Sequence, residues 1–234
     1  MSEPSTPAAS SGAPVVLAFD TTGSACSVAV GRGEAVLAYE RLEMQHGHAE
    51  VLLPMIGRVM QAARLLPVDI VIVAATVGPG GFTGIRAGLA AAHGLALAAK
   101  ARLVGISSFS AVAAQIAGNS APLLVALDSR RADFYVQLFD RYGGRCGEPA
   151  AILPEDLAAW VEDRSLIVAG NAAEAAAATL REHVPIGVLP DSAPDARGVL
   201  AALHRWPERT DPSAHPLYLR PPDVSLPKSG RGSL

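Results

Sequence analysis

The sequence predicts an α/β protein built from two related subdomains that face each other. Three observations carry that expectation. The first is a repeated plan: VVLAFDTTGSACSVAV (15–30) and LLVALDSRRADFYVQL (123–138) each run an apolar strand into Asp, then a hydroxyl residue, a short polar turn and a returning strand. Asp beside Ser or Thr is ordinary turn chemistry taken singly; its recurrence before a similar order of strands and helices suggests duplication. The second is the periodicity, in which short apolar runs alternate with segments of helical spacing in both halves. The third is composition: half of the 234 residues are apolar and 18% charged, enough for a sizeable core, while 5% aromatics leave Ala and Gly to set close packing.

Taken in order, residues 1–13 are rich in Ser, Pro and Ala and lack a basic region followed by an apolar one, so a disordered leader is expected rather than a signal peptide. A first subdomain is expected over 14–105. It opens with a strand at 15–20, then CSVAVG and AVLAYERL as strands about a turn at Gly31-Arg32-Gly33. Helical spacing follows over 48–66, where Val51, Leu52, Met55, Ile56, Val59, Met60 and Ala63 form one stripe; Pro54 should kink this helix or mark its first turn. DIVIVAAT is the next strand and 83–100 the next helix, with Ala87, Gly88, Ala90, Ala91 and Gly94 on a small-residue face. RLVGIS is a strand. The second subdomain, 106–220, takes in a helix at 107–117 stopped by Gly118-Asn119, strands at 122–128 and 133–141, a helix opened by Pro154, the strand SLIVAG, the helix NAAEAAAATLREH and a last helix over 194–206 that could pack back on the first subdomain. Residues 221–234 read as a loop-like tail.

The chemistry centres on VGPGGFTGIRAG (77–88), set between a buried strand and a helix. Glycines allow close backbone approach, Thr83 suits an N-cap, and free amides at a helix start attract anions. Arg86 in the first turn opposes the helix dipole unless an anion lies near. The stretch matches neither GxxxxGK[ST] nor GxGxxG, so tight turn and phosphate contact both stay open. Asp20 with Thr21 and Thr22, Gly80 and Gly81, and Asp128 with Ser129 could hold a magnesium nucleotide between the halves, or simply bond turn amides. Arg130, Arg131 and Asp133 read as a solvated charged turn in preference to a binding one. His46 and His48 form an HxH pair without further ligands, Cys26 and Cys146 lie outside any CxxC, and neither HExxH nor GxSxG occurs. Net charge is −3 with no Lys/Arg run, so any RNA contact is expected to come through a partner. Ala-rich runs are broken by Gly, Pro or charge, which predicts a cytoplasmic protein without a membrane span. The two helices that start near His48 and Thr83 pack internally by default, or dock a partner's pair as a four-helix interface.

DTTGSACSVAV, HAEVLLPMI (48–56), GPGGFTGIRAGLAAAHGLA (78–96), ALDSRRADFYV (126–136) and PLYLR (216–220) together resemble the bacterial TsaB (YeaZ) family of tRNA threonylcarbamoyladenosine biosynthesis proteins, over about residues 15–220. The resemblance implies a two-lobed actin/Hsp70-like, ribonuclease H-like fold, with β-β-β-α-β-α in each lobe, and a paralogue of the catalytic subunit TsaD. Ser107, Ser108 and Val112 stand where the catalytic relative carries metal-binding histidines, so metal chemistry lacks ligands here. It implies a non-catalytic scaffold that docks TsaD, acts with the ATPase TsaE, meets tRNA through the complex and forms a homodimer when alone. The implied interface is Val51, Leu52, Met55, Ile56, Val59, Thr83, Arg86, Ala87, Ala90, Ala91 and Gly94. ATP and magnesium are expected mainly on the partner subunits, and none in the isolated chain; Asp20, Thr21, Thr22, Gly80, Gly81, Asp128 and Ser129 would be a vestigial nucleotide site. GNAAEA (170–175) lacks the second glycine of a second phosphate loop. The rival is a magnesium-dependent nucleotide-hydrolysing or phosphotransfer enzyme of the same fold, using Asp20 and Asp128; a metalloprotease-like hydrolase ranks last.

Overall fold

A computed structural model describes residues 12–116, 121–162, 164–189 and 192–220; the expected leader up to residue 11, the helix stop at Gly118-Asn119 and the tail 221–234 lie outside the described residues. The first half runs β1 (Val15–Asp20), β2 (Ala25–Arg32), β3 (Ala35–Glu43), α1 (His48–Ala62), β4 (Ile70–Gly78), α2 (Phe82–Ala99), β5 (Arg102–Ser107) and α3 (Ser108–Gln115). The second runs β6 (Leu123–Asp128), β7 (Phe134–Phe139), β8 (Arg145–Ile152), α4 (Leu157–Val161), β9 (Leu166–Ala169), α5 (Ala173–Leu180), β10 (Ile186–Leu189) and α6 (Ala196–Arg205).

Each half forms a five-stranded sheet, in the order β3-β2-β1-β4-β5 and β8-β7-β6-β9-β10. In both, the first three strands are antiparallel neighbours and the last two join parallel, so β6 stands to its sheet as β1 does to the first. The duplicated plan expected from the two Asp-ended strands is therefore the plan of the molecule.

Strand periodicity explains the layering. All six residues of β1 are buried, as a central strand covered on both faces requires. Val15, Leu17 and Phe19 join one core with α1 and α2, while Val16 and Ala18 join another with α3 and α6. On β6, Leu123, Val125 and Leu127 enter that same middle core, and Leu124 and Ala126 face α4 and α5. The layers thus run α1/α2, first sheet, α3/α6, second sheet, α4/α5. The last helix packs back on the first sheet: Asp195 caps it by accepting from the Arg197 amide at 2.8 Å, and also accepts from the Tyr39 hydroxyl and from Arg41 at 3.3 Å, both on β3. The Ala196 amide donates to Ser27 on β2 at 2.9 Å. Burial would raise the Asp195 carboxyl, but the Tyr39 hydroxyl and the Arg197 amide and guanidinium hold it below the ordinary range.

Several sequence expectations shift. β8 and β10 were not foreseen. β8 carries Gly and Pro and is nowhere fully buried, β10 is four residues long, and edge strands of that kind lack a periodic apolar face. The β2–β3 turn falls at Gly33-Glu34, because β2 continues through Gly31 and Arg32. Pro54 lies inside α1 on its exposed side rather than in its first turn, and the helix ends at Ala62, short of Leu66.

The middle layer depends on one close approach. A Cβ on Gly198 of α6 would lie 2.1 Å from the Ala111 carbonyl of α3. Because that obstacle is backbone, Gly198→Ala should lower unfolding free energy by about 3 kcal/mol, the scale of overpacking a closed core; urea denaturation of the two proteins measures it.

Candidate functional site

The corner where the lobes meet is built from the ends of β1, β4 and β6. Asp20, 1% exposed, closes β1. Its Oδ1 accepts from the Thr22 amide at 3.2 Å, the Thr22 hydroxyl at 2.6 Å and the Thr76 hydroxyl at 2.6 Å, while its Oδ2 is buried without a hydrogen-bond partner. Burial pushes the Asp20 carboxyl above its ordinary value, outweighing the lowering by the two threonines. The Thr22 hydroxyl also lies 3.2 Å from that of Ser108.

The Gly-rich stretch after β4 packs onto this turn. The Gly81 amide donates to the Thr22 carbonyl at 2.8 Å and the Thr21 hydroxyl donates to the Gly84 carbonyl at 2.8 Å. A Cβ at Gly80 would lie 2.5 Å from the Thr22 carbonyl oxygen, and one at Gly84 2.0 Å from that of Thr21. These glycines therefore admit another stretch of backbone. The N-cap of α2 is Gly81, and Thr83, the second residue of the helix, is exposed without a capping bond, which corrects its expected role.

Across the cleft, Asp128 is exposed and its Oδ1 accepts from the Arg130 amide at 2.7 Å; the Asp128 amide donates to Asn171 Oδ1 at 3.0 Å. The turn that follows is more than a solvated loop. Asp133 is 2% exposed, accepts from the Ser129 hydroxyl at 2.9 Å and pairs with Arg220. Arg130 crosses to the other lobe and donates to the Gly23 carbonyl at 3.4 Å. Thr22, Gly80, Asp128, Arg130 and Asn171 share a cavity of about 200 Å³.

Asp20 is not placed to hold a magnesium nucleotide. Magnesium keeps several waters around one or two open carboxylates, whereas Asp20 is buried among hydroxyls. The Thr22 and Gly81 amides already serve protein oxygens, and Asn171, where a second glycine loop would lie, holds the end of β6. The three positions at which the resemblance implies metal-binding histidines in a relative are committed here: Ser107 caps α3 by accepting from the Ser110 amide at 3.0 Å, Ser108 meets Thr22, and Val112 is fully buried. Among the described residues, no three His, Cys, Asp or Glu side chains come together. His46 and His48 instead line a cavity of about 370 Å³ with Glu50, Thr83 and Arg130. Cys26 is buried and its thiol is pushed up to about 12 by that burial.

The expected interface divides in two. Leu52, Met55, Ile56 and Val59 face the first sheet at 6% exposure or less, so they belong to the core and cannot meet a partner. The apolar stripe on α1 was the side turned to the sheet, as amphipathic helices of globular proteins place it. Val51, Ala87 and Ala91 are half-buried; Thr83, Arg86, Ala90 and Gly94 are exposed. The outward side of the pair adds Leu53 and Leu97, 53% and 82% exposed, and Gly57. Nothing lies within 4 Å of a Cβ at Gly57 or Gly94. Contrary to the expectation from broken Ala-rich runs, α2 is long and apolar enough to cross a membrane by length and composition, yet Ile85, Leu89, Ala92 and Ala96 pack it on the sheet.

Comparison with known proteins adds the following. Residues 42–183 match the family model described as TsaD, tRNA N6-adenosine threonylcarbamoyltransferase. The chain is 34% identical over 216 residues to an uncharacterised protein of Mycobacterium tuberculosis, covering 89% of this chain and 93% of that one. It is also 34% identical over 128 residues to the tRNA threonylcarbamoyladenosine biosynthesis protein TsaB of Escherichia coli, covering 54% and 55% of the two chains. The solved structure of YeaZ from Pseudomonas aeruginosa superposes with a TM-score of 0.73 at 24% identity, covering 88% of this chain and all of that one. The fold is the two-lobed actin/Hsp70-like one.

The buried Asp20 carboxyl gives a pH signature. Its folded pKa is raised, so the native state keeps a proton that the unfolded chain releases above about pH 4. Stability should fall as pH rises from there through the folded value. Asp20→Asn keeps an acceptor for Thr22 and Thr76 without that titration, so its stability relative to wild type should climb over this window. Urea unfolding at a series of pH values checks it; a difference that does not change with pH contradicts it.

Proposed function

This chain belongs to the TsaB/YeaZ family of tRNA threonylcarbamoyladenosine biosynthesis proteins, and from that membership we propose that it is the non-catalytic scaffold subunit of the modification machinery. One observation supports this most: the outward side of α1 and α2. Glycine inside a helix costs about 1 kcal/mol relative to alanine, and Gly57 and Gly94 stand in open space where nothing within the chain requires a missing side chain. A facing helix pair would require it. The flanking Leu53 and Leu97 give the same surface apolar area to bury.

The partner is a TsaD-like catalytic paralogue, docked through a four-helix contact, and a TsaE-like ATPase completes the assembly. In the chain alone the same surface forms a homodimer. ATP and magnesium act on the partner subunits, where threonylcarbamoyl is transferred to an adenosine beside the tRNA anticodon, in the cytoplasm. The opposing reading, a magnesium-dependent nucleotide enzyme, draws on the exposed Asp128 carboxylate in the cleft. It is disfavoured by an Asp20 that is buried and bonded to its neighbours.

Depletion of the protein from its cells should collapse the threonylcarbamoyladenosine content of tRNA, read by mass spectrometry of nucleosides. Wild type and Asp128→Asn should restore it equally. Unchanged modification on depletion would overturn the scaffold function, and failure of Asp128→Asn alone would favour the enzyme.

A further inference from the structure

The loop before α2, the turn after β6 and the last described segment meet around a cavity of about 310 Å³. Arg130, Arg131 and Arg220 line it with Phe82, Tyr135 and Tyr218, and among the described residues no carboxylate is in its wall. In a chain of net charge −3 this is a local concentration of guanidinium groups, of which Arg220 is paired with the buried Asp133. The residues come from three distant stretches, so no basic run marks them in the sequence.

The aromatic side is equally specific. The Phe82 and Tyr218 rings meet at 5.2 Å between centroids, tilted by 37°. The Arg86 guanidinium lies 3.6 Å from the Phe82 centroid, and its Nε donates to the Tyr218 hydroxyl at 3.4 Å. Both rings nonetheless stay over a third exposed, 36% and 37%. Large apolar rings left in water beside guanidinium groups suit a ligand with a planar face and a phosphate: the base stacks and the arginines take the anion. A base within a duplex has both faces covered by its neighbours, so only an unpaired one can lie against a ring.

We propose that this arginine–aromatic cavity receives an unpaired nucleotide of an RNA strand, its base against Phe82 and Tyr218 and its phosphate on Arg130 and Arg131. The choice of RNA as the source rests on the reading of the chain as a tRNA-modification subunit. The scaffold then touches its substrate directly instead of only through the complex. Arg220, paired with the buried Asp133, fixes the end of the segment that carries Tyr218.

The test is fluorescence anisotropy of the full chain with a labelled single-stranded RNA of about twelve nucleotides at low salt. Wild type should bind, and Phe82→Leu, which keeps an apolar side chain but removes the ring, should weaken binding about tenfold or more. Phe82→Tyr should bind as wild type does. Arg130→Gln and Arg131→Gln should each reduce the slope of log affinity against log salt by about 0.7. Thermal melting confirms that each variant is folded. Equal binding by wild type and Phe82→Leu, or displacement by free ATP as readily as by an unlabelled strand, would overturn the proposal. The functional reading fails separately. If depletion leaves tRNA modification intact while Phe82→Leu still weakens RNA binding, the scaffold function falls and this surface stands. If depletion abolishes modification but Phe82→Leu binds RNA normally, the reverse holds.

Discussion

The contact on which the rest depends is the passage of the Thr21–Thr22 turn under the start of α2. Its clearance is set by Gly84, where a Cβ would come within 2.0 Å of the Thr21 carbonyl. Two hydrogen bonds lock the turn there, from Gly81 to Thr22 and from Thr21 to Gly84. This closure has two effects. It turns the polar groups of the corner toward one another, leaving Asp20 buried among threonine hydroxyls. It also fixes the pose of α2 on the sheet, and so decides which side of that helix looks outward.

The division between core and surface follows from that pose. Leu52, Met55, Ile56 and Val59 of α1 and Ile85 and Leu89 of α2 fill the space above the first sheet, while Gly57, Ala90 and Gly94 are left outside with Leu53 and Leu97. A helix surface made of Gly57, Ala90 and Gly94 between Leu53 and Leu97 contributes little to the stability of the isolated chain. It offers the close backbone approach that a second helix pair needs. The cleft corner is thus tied internally, while the outer side of α1 and α2 is left uncovered within the chain.

Much of the fold was legible because its signals are local. The two Asp-ended strands disclosed the duplication, and GPGGFTG disclosed a tight strand-to-helix passage, though only the structure shows that it packs on the Thr21–Thr22 turn. What escaped was set by tertiary context. β8 and β10 are edge strands with no periodic face. The stripe at Leu52, Met55, Ile56 and Val59 has the same spacing whether it meets a sheet or a partner, and only burial tells the two apart. Thr83 has the chemistry of a cap, but the preceding glycine already occupies that position. Arg86, the Arg130-Arg131 pair and Tyr218 lie too far apart in sequence for any pattern to join them. The pairing of buried Asp133 with Arg220 was equally hidden, although PLYLR was noticed as a motif.

The most direct measurement is sedimentation velocity of the chain mixed with its TsaD-like paralogue. Wild type and Asp128→Asn should form the same complex, while Gly94→Glu with Leu97→Glu, charges placed on exposed positions that leave the core intact, should weaken it by about a hundredfold or more, the scale of an unpaired charge buried at an interface. A complex that survives the two glutamates, or one lost on Asp128→Asn, would contradict an account that places the function on the outer helices.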